Sequence, residues 1–166
     1  VAEAEEYASL PVLDIDEQQA QYLQTIGDGW AFPLTRFMNE VELLESLHMK
    51  TVSDSHGQRH LLSVAITQAV TDEQKAAFTG QKKVAIKCSA ISSDVLAVIS
   101  DPVFFENRKE EICARQFGCF GYKHPKAEVI AAQGNWLISG SSMHFTKRVT
   151  FNDGMDKYRH TPAEIN

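Results

Sequence analysis

Apolar positions early in the chain recur at helical spacing. Ala20, Leu23 and Ile26 share one face of a 3.6-residue period. Asp16 stands at the N-cap with Gln19 three positions on as its capping-box partner, and Gly27 and Gly29 end the segment. Asn39 with Glu42 repeats that cap, and Phe37, Val41, Leu44 and Leu47 give the expected buried stripe of a second helix. Thr71 and Gln74 open a short third helix that Gly80 closes. Asp101-Pro102 reads as a fourth start, because Asp caps and proline's fixed φ suits the first helical position. That helix would turn Phe105 and Ile112 inward and residues 108–111 outward.

Strands are predicted between these helices. Leu61 to Ile66, Val84 to Cys88 and Val95 to Ile99 are short, apolar and partly β-branched. The polar segment joining the last two suits a hairpin loop. Further strands are expected at 128–132, 136–139 and 143–151. In the last, Met143, Phe145, Lys147, Val149 and Phe151 alternate with His144, Thr146, Arg148 and Thr150, a period of two. Residues 30–34 form an irregular apolar stretch, 53–60 a polar loop, and Asn152-Asp153-Gly154 a turn. Residues 1–15, acidic and containing Pro11, read as a linker. The sum is an α+β fold: a small, mostly antiparallel β-barrel or sheet with short flanking helices.

Composition narrows the function. At 166 residues the chain holds one domain with a real core. Its net charge is −6, with 16 basic residues scattered among 22 acidic ones. A nucleic-acid module would normally gather a basic face against the phosphates, so that role is disfavoured. No apolar run nears the roughly 20 residues that span a bilayer, and the acidic start is no signal peptide. Three cysteines, Cys88, Cys113 and Cys119, fit reduced thiols in a cytoplasmic chain, a nuclear location being compatible. Cys113, Cys119 and His124 lack the tight pairing and fourth ligand of a structural zinc site, so no metal is assigned.

Catalytic motifs are absent. There is no phosphate loop, no dinucleotide fingerprint, no nucleophile elbow and no His-Glu-x-x-His. Glu110-Glu111 reads as a solvated helix face, and Asp153 with Asp156 as turn-stabilising carboxylates. Cys113 has only Arg115 and Lys109 nearby in sequence, too little to activate a thiolate. Thr161-Pro162-Ala163-Glu164 combines an N-cap, a proline at the first helical position and a capping-box Glu. A helix announced there and ended at Asn166 is too short to stand alone. With no initiator Met, the chain is expected to be a piece of a longer protein.

Three segments carry a family resemblance. Residues 29–38, Gly-Trp-Ala-Phe-Pro-Leu-Thr-Arg-Phe-Met, resemble the Pro-Leu-x-Gly-Phe-Met segment near the start of ATP sulfurylases. Residues 104–118 with Lys123-His-Pro125, and residues 151–164, are similar to the form found in animal bifunctional PAPS synthetases. The resemblance runs from about Gly29 to Glu164. Arg36 replaces the family's glycine, which would strain the backbone if that glycine has a positive φ. Residues 63–67 lack the family's proline, and loop 53–60 is unusual.

The resemblance implies a PUA-like domain over residues 16–160. Residues 161–166 would begin the helix leading into an absent catalytic domain. That following domain would bind ATP and sulfate with magnesium and make adenosine 5′-phosphosulfate (APS) and pyrophosphate. A preceding APS kinase domain would phosphorylate the 3′-hydroxyl. The chain itself would hold no catalytic, cofactor or metal residue. Its partners would be those two domains, with a homodimer allowed, and Asn152, Asp153, Asp156, Tyr158 and Arg159 would lie at the junction. The alternative is an RNA-binding module, since PUA-like barrels elsewhere bind RNA.

Overall fold

A computed structural model describes residues 7, 9–118 and 124–165. Among the described residues these elements follow one another: β1 (Val12–Asp14), α1 (Glu17–Gly27), α2 (Glu40–Met49), β2 (Thr51–Ser53), β3 (Arg59–Leu61), β4 (Gln68–Val70), α3 (Asp72–Phe78), β5 (Lys83–Cys88), β6 (Ser92–Ser100), β7 (Val103–Glu106), α4 (Lys109–Phe117), α5 (Pro125–Ala132), β8 (Trp136–Ser139), β9 (Ser142–Phe145) and α6 (Pro162–Ile165). A 3-10 turn, Asp156–Tyr158, precedes α6.

The mostly antiparallel α+β character stands. Within that character, among the described residues the strands pair as three sheets, ordered β1-β5-β6-β9, β2-β3 and β4-β8-β7. Only β1 runs parallel to its neighbour, β5. Residues 12–14, expected within a linker, are that strand, and Leu13 is buried. The core lies between the sheets and helices, with Val84, Ile86, Leu96 and Ile99 of the central hairpin packed against Leu23, Leu43, Leu137 and Ile138.

Cap chemistry places the helices. Asp16 accepts from Gln19 N at 2.8 Å, and Ala20, Leu23 and Ile26 are buried. Complete capping boxes start α2 at Asn39/Glu42 and α3 at Thr71/Gln74. Four expectations are overturned. The buried face of α2 is Leu43, Ser46 and Leu47, while Val41 is 72% exposed, because Ser46 Oγ donates to Leu62 O at 2.8 Å and turns that face to the β3–β4 connection. Asp101 does not cap a helix: it sits at φ 47 in the β6–β7 turn, and its carboxylate accepts from Ser141 Oγ at 2.8 Å. Residues 128–132 belong to α5, which Pro125 opens at its first turn. The strand expected at 61–66 is split, with β3 ending at Leu61 and β4 starting at Gln68, while Ile66 O accepts instead from Met38 N. Of the polar loop expected at 53–60, residues 54–58 are the tip of the β2–β3 hairpin, and Ser53, Arg59 and His60 are paired in its strands.

Arg36 is absent from the positive-φ residues, so no strain follows from the missing glycine. Its guanidinium instead forks onto Glu42 at 2.8 and 3.2 Å. Cys88 and Cys113 are buried, and burial raises the Cys88 thiol pKa. Cys119 lies outside the described residues.

Candidate functional site

The end of α1 receives the C-terminal segment. The expected strand 143–151 pairs with β6 only as far as Phe145. Thr146 N then donates to Leu96 O at 3.0 Å, and the chain leaves the sheet. Val149 O accepts from Gln24 Nε2 of α1 at 3.0 Å, so a helix side chain replaces the ladder partner. Arg148 grips Asp28, just past α1, with Nε at 3.0 Å and Nη2 at 3.1 Å. Arg148 also donates to Arg159 O and lies 3.7 Å from Glu164 of α6. Trp30 Nε1 donates to His160 O at 2.9 Å.

The turn that follows is built on two carboxylates. Asn152 and Gly154 take positive φ values of 55 and 79; Asn tolerates that region and Gly enters it freely. Asp156 accepts from Phe151 N at 3.0 Å and Asn152 N at 2.8 Å. Asp153 Oδ1 accepts from Met155 N at 2.9 Å. Arg159 closes the structure, with Nη1 2.8 Å and Nη2 2.6 Å from the Asp153 oxygens and Nη1 2.9 Å from Asp156. Its guanidinium lies 5.0 Å from the Phe151 ring, within cation–π range.

The Arg159 hydrogen bonds hold the Asp153 carboxyl well below the usual carboxylate range. The Phe151 and Asn152 amides, with Arg159, lower Asp156. Asp153 in turn raises Arg159. These groups are therefore fixed as ions at neutral pH. Neither carboxyl can serve as a general acid, which needs a pKa near the working pH. The arrangement is chemically a rigid, hydrogen-bonded knuckle.

Beside the knuckle lies a cavity of about 340 Å³ between Gln24, Asp28, Trp30, Tyr158, His160 and Ile165. Trp30, Tyr158 and Ile165 are 54, 62 and 63% exposed. Three large apolar side chains, each more than half bare, thus share one rim of this cavity. Of the five residues expected at the junction, Asn152, Asp153, Asp156 and Arg159 form the knuckle, and Tyr158 faces this cavity. Gln24, Asp28, Trp30 and Arg148 were not foreseen. The exposed aromatic in the irregular stretch 30–34 was the one sequence signal that could have pointed to them.

Among the described residues no three or more His, Cys, Asp or Glu side chains converge to hold a metal ion, and no helix is long and apolar enough to cross a membrane. Residues 1–147 match the family described as PUA-like domain. The chain belongs to the PUA-like domain family.

This PUA-like domain is similar in sequence to one stretch of ATP sulfurylases. It is 30% identical over 161 residues to "ATP sulfurylase 2" of Arabidopsis thaliana, covering 96% of this chain and 33% of that protein. It is 29% identical over 154 residues to "ATP sulfurylase 4, chloroplastic" of the same plant, covering 92% of this chain and 32% of that protein. The domain thus spans about a third of the length of these relatives. A solved structure, "Hexameric APS kinase from Thiobacillus denitrificans", superposes with a TM-score of 0.65 at 21% identity, over 99% of this chain and 27% of that one. At that identity it speaks for the fold alone.

Proposed function

We propose that this PUA-like domain is a non-catalytic scaffold in the ATP sulfurylase part of a larger sulfate-activating enzyme, a bifunctional PAPS synthetase. In this reading the domain runs from β1 to about residue 160 and residues 161–166 start the helix into the catalytic domain, which makes APS and pyrophosphate from ATP and sulfate. An APS kinase domain precedes it and completes the synthesis, and the parent works in the cytoplasm. A homodimer of the parent is compatible with this arrangement.

The observation that carries the reading is the bare apolar rim of Trp30, Tyr158 and Ile165 beside the Arg159 knuckle, in a domain a third as long as its relatives. A rim that touches α6 is placed to meet whatever that helix leads into. The knuckle residues Asn152, Asp153, Asp156 and Arg159 hold the helix at a fixed angle, and Tyr158 supplies contact area. Magnesium and ATP fit poorly here. The knuckle's acidic oxygens already serve Arg159 and backbone amides, and no other acidic cluster converges among the described residues. RNA recognition is opposed by pairing of the cations: Arg36, Arg108, Lys147, Arg148 and Arg159 each hold a carboxylate.

Calorimetric titration of this chain with ATP, APS and sulfate, magnesium present, is expected to give no heat of binding. Micromolar binding of any of them would overturn the scaffold role. In the full-length parent, Arg159→Ala is expected to lower sulfurylase activity and thermal stability together. Unchanged values of both would remove the knuckle from the junction.

A further inference from the structure

Asp153-Gly154 sits at the tip of the knuckle. In an Asp-Gly step the glycine amide nitrogen can attack the aspartate side-chain carbon, because no Cβ shields the approach. Nothing packs over this step: a Cβ built on Gly154 meets no atom within 4 Å, and the Asp153 side chain is 41% exposed. Three donors nevertheless restrain the carboxylate. Arg159 spans both oxygens at 2.8 and 2.6 Å, and Met155 N reaches Oδ1 at 2.9 Å.

We propose that Asp153-Gly154 is a latent isoaspartate-forming site that the Arg159 guanidinium keeps closed. In the reaction Gly154 N gives its proton to solvent and bonds to Cγ of the protonated Asp153 carboxyl. The carboxyl hydroxyl takes up a proton and leaves as water. The product is a five-membered succinimide, one water lighter. Water then adds to the Asp153 main-chain carbonyl and opens the ring. The backbone now runs through Cγ, one carbon longer, with a free α-carboxylate. One water leaves and one returns, so no cofactor or oxidant is needed.

Arg159 opposes this in two ways. Hydroxyl departure needs a protonated carboxyl, and each unit by which a pKa is lowered cuts the protonated fraction at a given pH about tenfold. Ring closure also swings Cγ onto Gly154 N, which breaks all three hydrogen bonds. Once formed, the longer backbone alters the spacing that lets one guanidinium bridge Asp153 and Asp156, so conversion opens the knuckle irreversibly.

The test is prolonged incubation of the chain at neutral pH and body temperature. Isoaspartate is read in the tryptic peptide from Val149 to Lys157 by enzymatic methylation. Native Arg159→Gln is expected to accumulate isoaspartate several-fold faster than wild type, and the two should match in urea, where the contact is gone. Arg159→Lys, which keeps the charge but not the fork, should fall between them. Asp153→Glu should show no signal, since its ring would need six members. Equal rates for native wild type and Arg159→Gln would overturn the proposal. So would an Arg159→Lys rate equal to that of wild type, because the guanidinium fork would then not be the hold.

Discussion

Val149 is the last fully buried residue of the described chain, at 2% exposed. Neither the 3-10 turn nor α6 contains a buried residue. The segment that carries the knuckle is therefore anchored by the buried Val149, by the half-buried Phe151 against the core, and by polar contacts to Gln24, Asp28 and Trp30. Val149→Ala removes two methyl groups at about 0.8 kcal/mol each. A partial cavity term brings the cost to about 2 kcal/mol. If the segment opens as a unit, amides bonded only within it, Phe151, Asn152 and Arg159, should exchange about thirty-fold faster, since 1.4 kcal/mol is about tenfold. The control is Ile138→Val in the core, where Ile138 is fully buried. It should cost about 1 kcal/mol, but it weakens the docked and undocked forms alike. Its segment amides should therefore keep their wild-type rates. Native-state hydrogen exchange by NMR reads both variants. Equal acceleration of these amides in the two variants would refute separate opening, and so would no acceleration in Val149→Ala.

Two further outcomes follow from contacts elsewhere. A Cβ on Gly134 would lie 2.0 Å from Val70 O and 2.8 Å from Thr71 N. Both are backbone and cannot rotate away, so Gly134→Ala should cost about 1–3 kcal/mol by overpacking, read as a shift of the urea midpoint; a loss under about 0.5 kcal/mol would contradict this. The knuckle carboxyls Asp153 and Asp156 are held below their ordinary values, so the folded turn binds fewer protons than the unfolded one. Their stabilisation is complete above the ordinary Asp pKa of about 3.9 and is lost as pH falls through the lowered folded values. Amide signals of Phe151 and Asn152 should therefore persist to about pH 4 and fade progressively as the pH falls further toward the lowered values, whereas loss at the mildly acidic pH where histidines titrate would point to another group.

Local chemistry read from the sequence held where the signal was self-contained. The boxes at Asn39/Glu42, Thr71/Gln74 and Thr161/Glu164 need only residues three apart, and all three form; Asp16 caps as expected, but the Gln19 side chain accepts from Gln68 instead of closing the box. The hairpin β5–β6 was legible because its β-branched runs flank a polar loop and pair with each other. The readings failed where a distant group claimed the same atom. Asp101 had the right neighbour in Pro102, but Ser141 and Lys82 O take its carboxylate and amide. The alternation over 143–151 is real, yet Gln24 captures Val149 O and ends the ladder.

By itself, then, the sequence determined the starts of α1, α2, α3 and α6, the central hairpin, the family and the four knuckle residues. These rest on contacts within a few positions or on segments long enough to be specific. Only the tertiary structure decided that the strands pair as three sheets and which face of α2 is buried. It alone set Trp30, Asp28 and Gln24 against a segment some 120–130 residues away. Which donor meets which acceptor across such a separation depends on how the whole core packs, and no local pattern records it.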